Sequence, residues 1–366
     1  MQTSGSALRA EPEPGRGVRR LSFRLLLSAG IAAFFVWVLR AGALPLVPEN
    51  GLWRSLRGWT VLGYLAGWSL VHLIRAARWQ LLLAPLATVR LRRIFAASFL
   101  GFLAILMFPL RTGEVVRPML IRDRRRLTVW AAAGTLGAER IVDGLVLSGI
   151  LFVALLLAHP LDPLPERLGD LPIRVSLVPT TAYLALIAFS LALLGMLAFH
   201  VWKGPTRRLV ERIVGAVSPR FAHWVSTRLE GLAEGLSFLS GPRHALPFVL
   251  ATLAYWLLNA ACTWLLAWGT GLSSFGFTQA CTVTGVLAIG VLVPNAPGFF
   301  GAFQFSVYAA LALFYPREQV LGQGALFVFL LYLGQMAVTV GFAAWAAWLG
   351  GLGREERAVA ARSAEL

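Results

Sequence analysis

Charge is what this chain has least of. Only 14% of its residues are Asp, Glu, Lys or Arg, against about 25% in a soluble globular domain. Between Arg243 and Arg317 none of the four occurs. A water-soluble fold is excluded on that ground. Cysteine is also scarce: Cys262 and Cys281 lie inside apolar runs, leaving neither a disulfide framework nor a metal-ligand spacing. His159, His200, His223 and His244 are scattered at the edges of runs, with no carboxylate or cysteine spacing suited to a metal. No metal and no other cofactor is therefore expected.

Apolar residues are abundant, with 58% hydrophobic residues and a mean hydropathy of +0.71. The fold class expected is an all-α polytopic integral membrane protein with about eight membrane-crossing helices and broken or re-entrant segments, both termini cytoplasmic. Runs long enough to span lie at 21–39, 59–83, 128–157, 177–201, 245–268, 277–293, 299–315 and 324–349, with a shorter one at 94–110. The first run precedes Ala41-Gly42-Ala43 and resembles a cleavable signal peptide, but it exceeds the usual apolar core of about 7 to 15 residues, so an anchor is the stronger reading. Residues 1–20 are expected to be a disordered basic tail, 21–350 the membrane domain, and 351–366 a cytoplasmic tail. Within the domain, 202–243 reads as an interfacial cytoplasmic segment.

The formal net charge of +16 would suggest nucleic acid in a soluble protein. Here the arginines fill gaps between apolar runs, as cytoplasmic loops do against anionic lipid. Arg9, Arg16, Arg19, Arg20 and Arg24 put the amino terminus inside, and 75–93 carries five arginines and no acid. If 94–110 crossed, the arginines from Arg111 to Arg126 would lie outside, against the positive-inside rule. A re-entrant element that dips in and returns removes the conflict. The segment 158–176, with three acids and two arginines, reads as external, and 202–243, with seven basic residues, as internal.

Two apolar segments are interrupted in corresponding halves. One ends in Pro109-Leu110-Arg111-Thr112-Gly113-Glu114, the other in Pro294-Asn295-Ala296-Pro297-Gly298 with Gly301. Proline removes a donor and disfavours helix in the residue before it, so helices end there. Paired interruptions point to a site near the membrane midplane, although ordinary interhelical turns give the same pattern.

Arg111, Glu114, Arg117, Glu139, Arg140 and Asp143 are the ionisable residues in these otherwise lipid-compatible stretches. Each costs about 2.5 to 3.5 kcal/mol at membrane depth, so each calls for a partner or a wet cavity. Glu139 and Asp143 share a helix face and need a cation between them. Arg140 can reach Asp143, while Arg111 or Arg117 would supply Glu139. An arginine fork matches phosphate, so the cluster reads either as a headgroup site or as a permanent structural network. Gly113 would let backbone approach a ligand, or simply make a turn. His72, Arg75 and Arg78 share a face, and with Trp79 they read first as snorkelling residues at the cytoplasmic interface. Gly63 and Gly67 form a small-xxx-small pair suited to close helix packing.

Arg78-Trp79, the Pro109 to Glu114 run with Arg117, Glu139-Arg140 with Asp143, and Pro294 to Gly301 together resemble the lysylphosphatidylglycerol synthase transmembrane-region family, described as flippase-like. The resemblance covers about residues 21 to 350. It implies movement of a lipid or lipid-linked headgroup between leaflets of the cell (inner) membrane. The substrate-binding set implied is Arg111, Gly113, Glu114, Arg117, Glu139, Arg140, Asp143, Pro294, Asn295, Pro297, Gly298 and Gly301. Gln304 and Gly334-Gln335 depart from the family pattern, which carries Glu and often Arg there. No aminoacyl-transferase domain is expected after Leu349, and no nucleophile or metal set accompanies the carboxylates, so no enzyme is expected. Two alternatives stay open: an enzyme on a lipid-linked substrate with Glu139 or Asp143 as general base, and a non-transporting scaffold. The expected partners are anionic or phosphate-bearing membrane lipids, with room for a homo-oligomer and none for nucleic acid.

Overall fold

The computed structural model describes residues 29–108, 113–123, 127–171, 174–202, 230–272, 274–292 and 296–363. The main helices are α1 (Ala29–Ala41), α2 (Gly58–Ala77), α3 (Trp79–Leu83), α4 (Leu91–Met107), α5 (Val116–Ile121), α6 (Val129–Leu157) and α7 (Leu177–Val201), then α8 (Pro242–Gly269), α9 (Phe277–Gly290), α10 (Ala302–Leu311), α11 (Arg317–Leu321) and α12 (Gln323–Ser363). Among the described residues there is no strand, only isolated bridges. The protein is an all-α, multi-pass membrane protein: α6, α7, α8 and the stretch Arg317–Gly350 are each long and apolar enough to cross a bilayer. At 20 residues, α2 also spans about 30 Å.

Helix boundaries follow local chemistry. Thr128 caps α6 by accepting from the Ala131 N–H at 3.0 Å, and Pro242 opens α8 at a position where its missing donor costs nothing. Gly301 holds φ 85° before α10, and its N–H is taken by Gln304 Oε1 at 2.7 Å. Gln304 thus makes the back-reaching half of a capping box without burying a charge.

The loops establish which helix ends share a face. On one side, Asp170 N–H bonds Gly42 O at 3.1 Å, Leu161 N–H bonds Leu313 O at 2.8 Å, Arg57 N–H bonds Gly269 O at 3.0 Å, and Tyr308 Oη donates to Pro45 O at 2.6 Å. Arg317 pairs with Asp170 at 2.6 Å across the same layer. The Ala41-Gly42-Ala43 segment is thereby built into the loops of that side. On the opposite side, Arg93 donates to Arg122 O at 2.9 Å, joining the start of α4 to the end of α5.

That last bond defines a hairpin. Gly113 lies back against α4, where an added Cβ would fall 2.1 Å from the Ala104 carbonyl carbon, and Arg117 returns past Gly101. The apolar segment of α4 therefore enters and α5 comes back to the level of Arg93. The second interruption behaves alike from the other face. α9, of 14 residues, reaches only about 21 Å, then α10 returns beside it, with Gly290 against Ser306. The outer ends of this pair meet where Ser274 Oγ donates to Tyr315 Oη at 3.3 Å and Phe275 stacks on Tyr315. The runs at 277–293 and 299–315, read from sequence as two spans, are the arms of one hairpin. Apolar composition measures length, and neither arm has the length to cross a core about 30 Å thick.

Helix contacts put α8 on α2 and α7 on α6, with α9 on both α6 and α8 and α12 on α4 and α2. Gly63 and Gly67 seat α8: a Cβ on Gly67 would fall 2.4 Å from Cys262 Sγ and one on Gly63 2.9 Å from Leu265. With no water to expel between helices in lipid, such close packing replaces the hydrophobic effect as the cohesive term. Residues 203–229 of the expected interfacial segment lie outside the described residues. Those that follow pack on α6, with Gly235 against the backbone at Ala131 and Gly134.

Candidate functional site

Arg78 is the centre of the buried charges. It sits between α2 and α3, buried, with Nη1 and Nη2 on the two oxygens of Asp143 at 2.5 and 2.6 Å. Nη1 also donates to Thr252 Oγ1 at 2.7 Å, and Nη2 to Glu139 Oε1 at 3.2 Å. The guanidinium lies 4.6 Å from the Tyr255 ring centroid, so its faces as well as its edge are used. This corrects the interfacial reading of Arg78 and Trp79. The apolar run does end here, but α3, α6 and α8 close over it, and Trp79 is itself buried with its indole N–H on Thr135 Oγ1 at 2.9 Å.

Glu139 accepts from three arginines. Arg117 Nη1 approaches its two oxygens at 3.1 and 3.2 Å, and Arg140 Nη2 meets Oε1 at 3.1 Å. Arg117 comes from α5, packed under Gly101, with Ser98 Oγ at 3.5 Å and the Trp79 ring 4.3 Å from its Cζ. The hairpin is thus tied to α6 by a buried pair. Arg140, expected on Asp143, turns to Glu139 because Arg78 already occupies both Asp143 oxygens. The cation shared by Glu139 and Asp143 is Arg78, a residue sequence reasoning placed at the interface.

The remaining site residues divide. Glu114, Arg140 and Asp143 line a cavity of about 440 Å³. Gly113 is pressed on α4 rather than on open space. Pro297 and Gly298 form the turn at the tip of the second hairpin, which packs on α4, with Gly298 near Tyr332 Oη. Gly301 faces Phe35 of α1. None of those three lines the cavity. Arg111, Pro294 and Asn295 lie outside the described residues.

The cavity lies between the hairpins. Phe102, Ile105 and Leu106 of α4 form one wall, and Leu287, Ile289 and Leu292 at the inner end of α9 form another. Glu139 lies ten residues along α6 from Val129, or about 15 Å, so the charge cluster sits well inside the bilayer. Sequence reasoning missed further polar lining from α2, α8, α9 and α12: His72, Arg75, Asn259, Thr284, Gln335 and Thr339. The three-residue spacing of His72, Arg75 and Arg78 was the available signal. His72 Nε2 meets Thr339 Oγ1 at 3.1 Å, linking α2 to α12 across the cavity wall.

Two opposed re-entrant hairpins, a buried arginine–carboxylate network and a cavity between them with charged and polar groups on its walls define a multi-pass membrane protein with a charged site at membrane depth. Residues 22–341 match the family described as lysylphosphatidylglycerol synthase TM region, and the chain belongs to that family. It is 29% identical over 235 residues to glycosyltransferase AglD of Haloferax volcanii, an alignment covering 59% of this chain and 37% of that protein. The chain therefore corresponds to well under half of that relative's length. No solved structure matches.

Proposed function

We propose that the protein moves a lipid or lipid-linked headgroup between the leaflets of the cell membrane, with the cavity between the hairpin tips as the headgroup site. The observation that carries this reading is the meeting of two hairpins from opposite faces around one cavity that holds charged and polar side chains. Each hairpin supplies one wall of the cavity, so movement of either would change the side to which the site opens. A neighbouring cavity of about 460 Å³ shares Ile289 with the first and is walled by Phe35, Val38, Leu151, Val178, Val286 and Phe305. An apolar chamber beside a polar one suits an amphiphile, headgroup in one and chain in the other. Under this reading the ion network positions α5 and α6 and is not itself the binding group.

The test is leaflet transfer of fluorescent lipids in vesicles containing the full chain, read by bleaching with an impermeant reductant. Transfer is expected above that of protein-free vesicles. Ala288→Trp, which fills the cavity from α9, is expected to abolish it while the protein still purifies as a folded species. Equal transfer by the filled variant would overturn the assignment of the cavity. An enzyme on a lipid-linked sugar is the second reading, suggested by the relative's name. Turnover of a sugar donor by the purified chain would favour it.

A further inference from the structure

A further cavity, of about 1220 Å³, lies at the mouth of the first hairpin and shares no residue with the site between the tips. Its exposed lining is basic: Arg90, Arg92 and Arg93 at the start of α4, with Asp123 as the one carboxylate among its described lining residues. Its buried lining is apolar, from Phe99 of α4 and Ile121 of α5, and the ring of Trp345 in α12 borders it. Arg93 is already engaged, donating to Leu120 O at 3.4 Å and Arg122 O at 2.9 Å. Arg90 and Arg92 meet no acid among the described residues. α4 also begins without a side-chain cap, so its first N–H groups stay open to an anion.

The depth of this cavity is marked independently of its arginines. Trp345 and Trp348 are exposed beside it, as indoles are at a membrane–water boundary. Positive charge at headgroup level above a ring-lined slot is complementary to an anionic amphiphile. The chain's own segments 1–28 and 203–229 carry a basic excess in sequence, which makes them poor occupants of a basic cavity.

The same walls connect with the central site. Phe99 stacks on Phe342 with centroids 4.7 Å apart, and Phe342 stacks on His72 at 6.1 Å. His72 lines the cavity between the tips. One layer of rings thus separates the two cavities, and an occupant of the outer one touches α4, α5 and α12 together.

We propose that this outer cavity holds a resident anionic phospholipid of the adjoining leaflet, with its phosphate on Arg90, Arg92 and the open end of α4 and its chains on the Phe99 and Trp345 rings, and that this lipid clamps the first hairpin to α12. It is a different molecule from any cargo in the central cavity, and the inference does not depend on the transport reading. A ligand that bridges the hairpin mouth and α12 favours the arrangement in which they stand together, to the extent that it binds that arrangement better than others.

The purified full chain is incubated with phosphatidylglycerol or phosphatidylcholine at equal concentration, and retained lipid is read by native mass spectrometry. Phosphatidylglycerol is expected to be retained about tenfold more. The double variant Arg90→Gln, Arg92→Gln is expected to fold, since both side chains are exposed and pair with no described acid, and to lose most of that preference. Ala288→Trp, which fills the central cavity, is expected to keep it. Hydrogen exchange at 116–121 is expected to slow on adding phosphatidylglycerol and not phosphatidylcholine. Equal retention of the two lipids, or an unchanged preference in the double variant, overturns the site. Loss of the preference in Ala288→Trp places the lipid between the hairpin tips and overturns it as well. Inorganic phosphate displacing the lipid at equal concentration would assign the cavity to a water-borne anion, against the proposal. Selective retention with unchanged exchange at 116–121 would overturn the clamp. Absence of leaflet transfer alongside these expected results would overturn the transport reading while supporting this one.

Discussion

At the scale of single residues, Arg78 carries the largest structural burden. Its fork satisfies both Asp143 oxygens and reaches Thr252 and Glu139. Removing one member of a buried pair leaves an uncompensated charge, so Arg78→Ala is expected to cost about 3–5 kcal/mol. Arg78→Lys restores the charge without the planar fork and is expected to fall between the wild type and alanine. Thermal unfolding in detergent checks the order; a lysine variant as stable as wild type would mean that only the charge counts. The identity of this residue was partly legible. Its resemblance motif was in view, but counting from the end of an apolar run assigned it to the surface, because a run's end says nothing about what folds over it. Glu139 and Asp143, by contrast, were legible as an acid pair needing a cation, since helical spacing alone puts them on one face.

At the scale of elements, the two hairpins are where sequence reasoning went furthest and where it stopped. The first was legible through charge: arginines on both sides of 94–110 cannot straddle a membrane that sorts them to one face. The second has no Asp, Glu, Lys or Arg between Arg243 and Arg317, so the charge rule was silent there and its arms read as spans. Prolines and glycines marked the break without revealing that the chain reverses. The hairpin geometry makes a direct expectation. In a chain whose Cys262 and Cys281 are replaced, a cysteine at Arg93 and one at Arg122 should both react with an impermeant thiol reagent from the cytoplasmic side only, despite the apolar α4 between them. A cysteine at Gln319, beyond α10, should react only from outside. Opposite-side labelling of Arg93→Cys and Arg122→Cys would show that α4 crosses.

At the scale of the whole molecule, the loops on one side form one bonded layer that ties 42–45, 161–170, 269 and 313–317 together. The cluster of arginines and carboxylates lies beneath it, about 15 Å from the start of α6. Among the described residues this region holds four arginines, Arg75, Arg78, Arg117 and Arg140, against three carboxylates, Glu114, Glu139 and Asp143, and a surplus of positive charge at that depth has an electrical consequence. A full elementary charge crossing the bilayer field is worth about 2.3 kcal/mol per 100 mV, and a partial displacement a proportionate share. When the site changes the side to which it opens, an empty cavity carries that surplus through part of the field, whereas one holding a singly charged anionic headgroup carries one charge fewer. Membrane voltage should therefore act chiefly on the unloaded half of the cycle. In vesicles with an imposed potassium diffusion potential, transfer is expected to change with the sign of the potential, and Arg75→Gln, which leaves the empty site neutral and the anion-loaded one negative, to move that dependence onto the loaded step. A cell's resting potential would then act as a ratchet on the empty carrier, giving direction to lipid traffic.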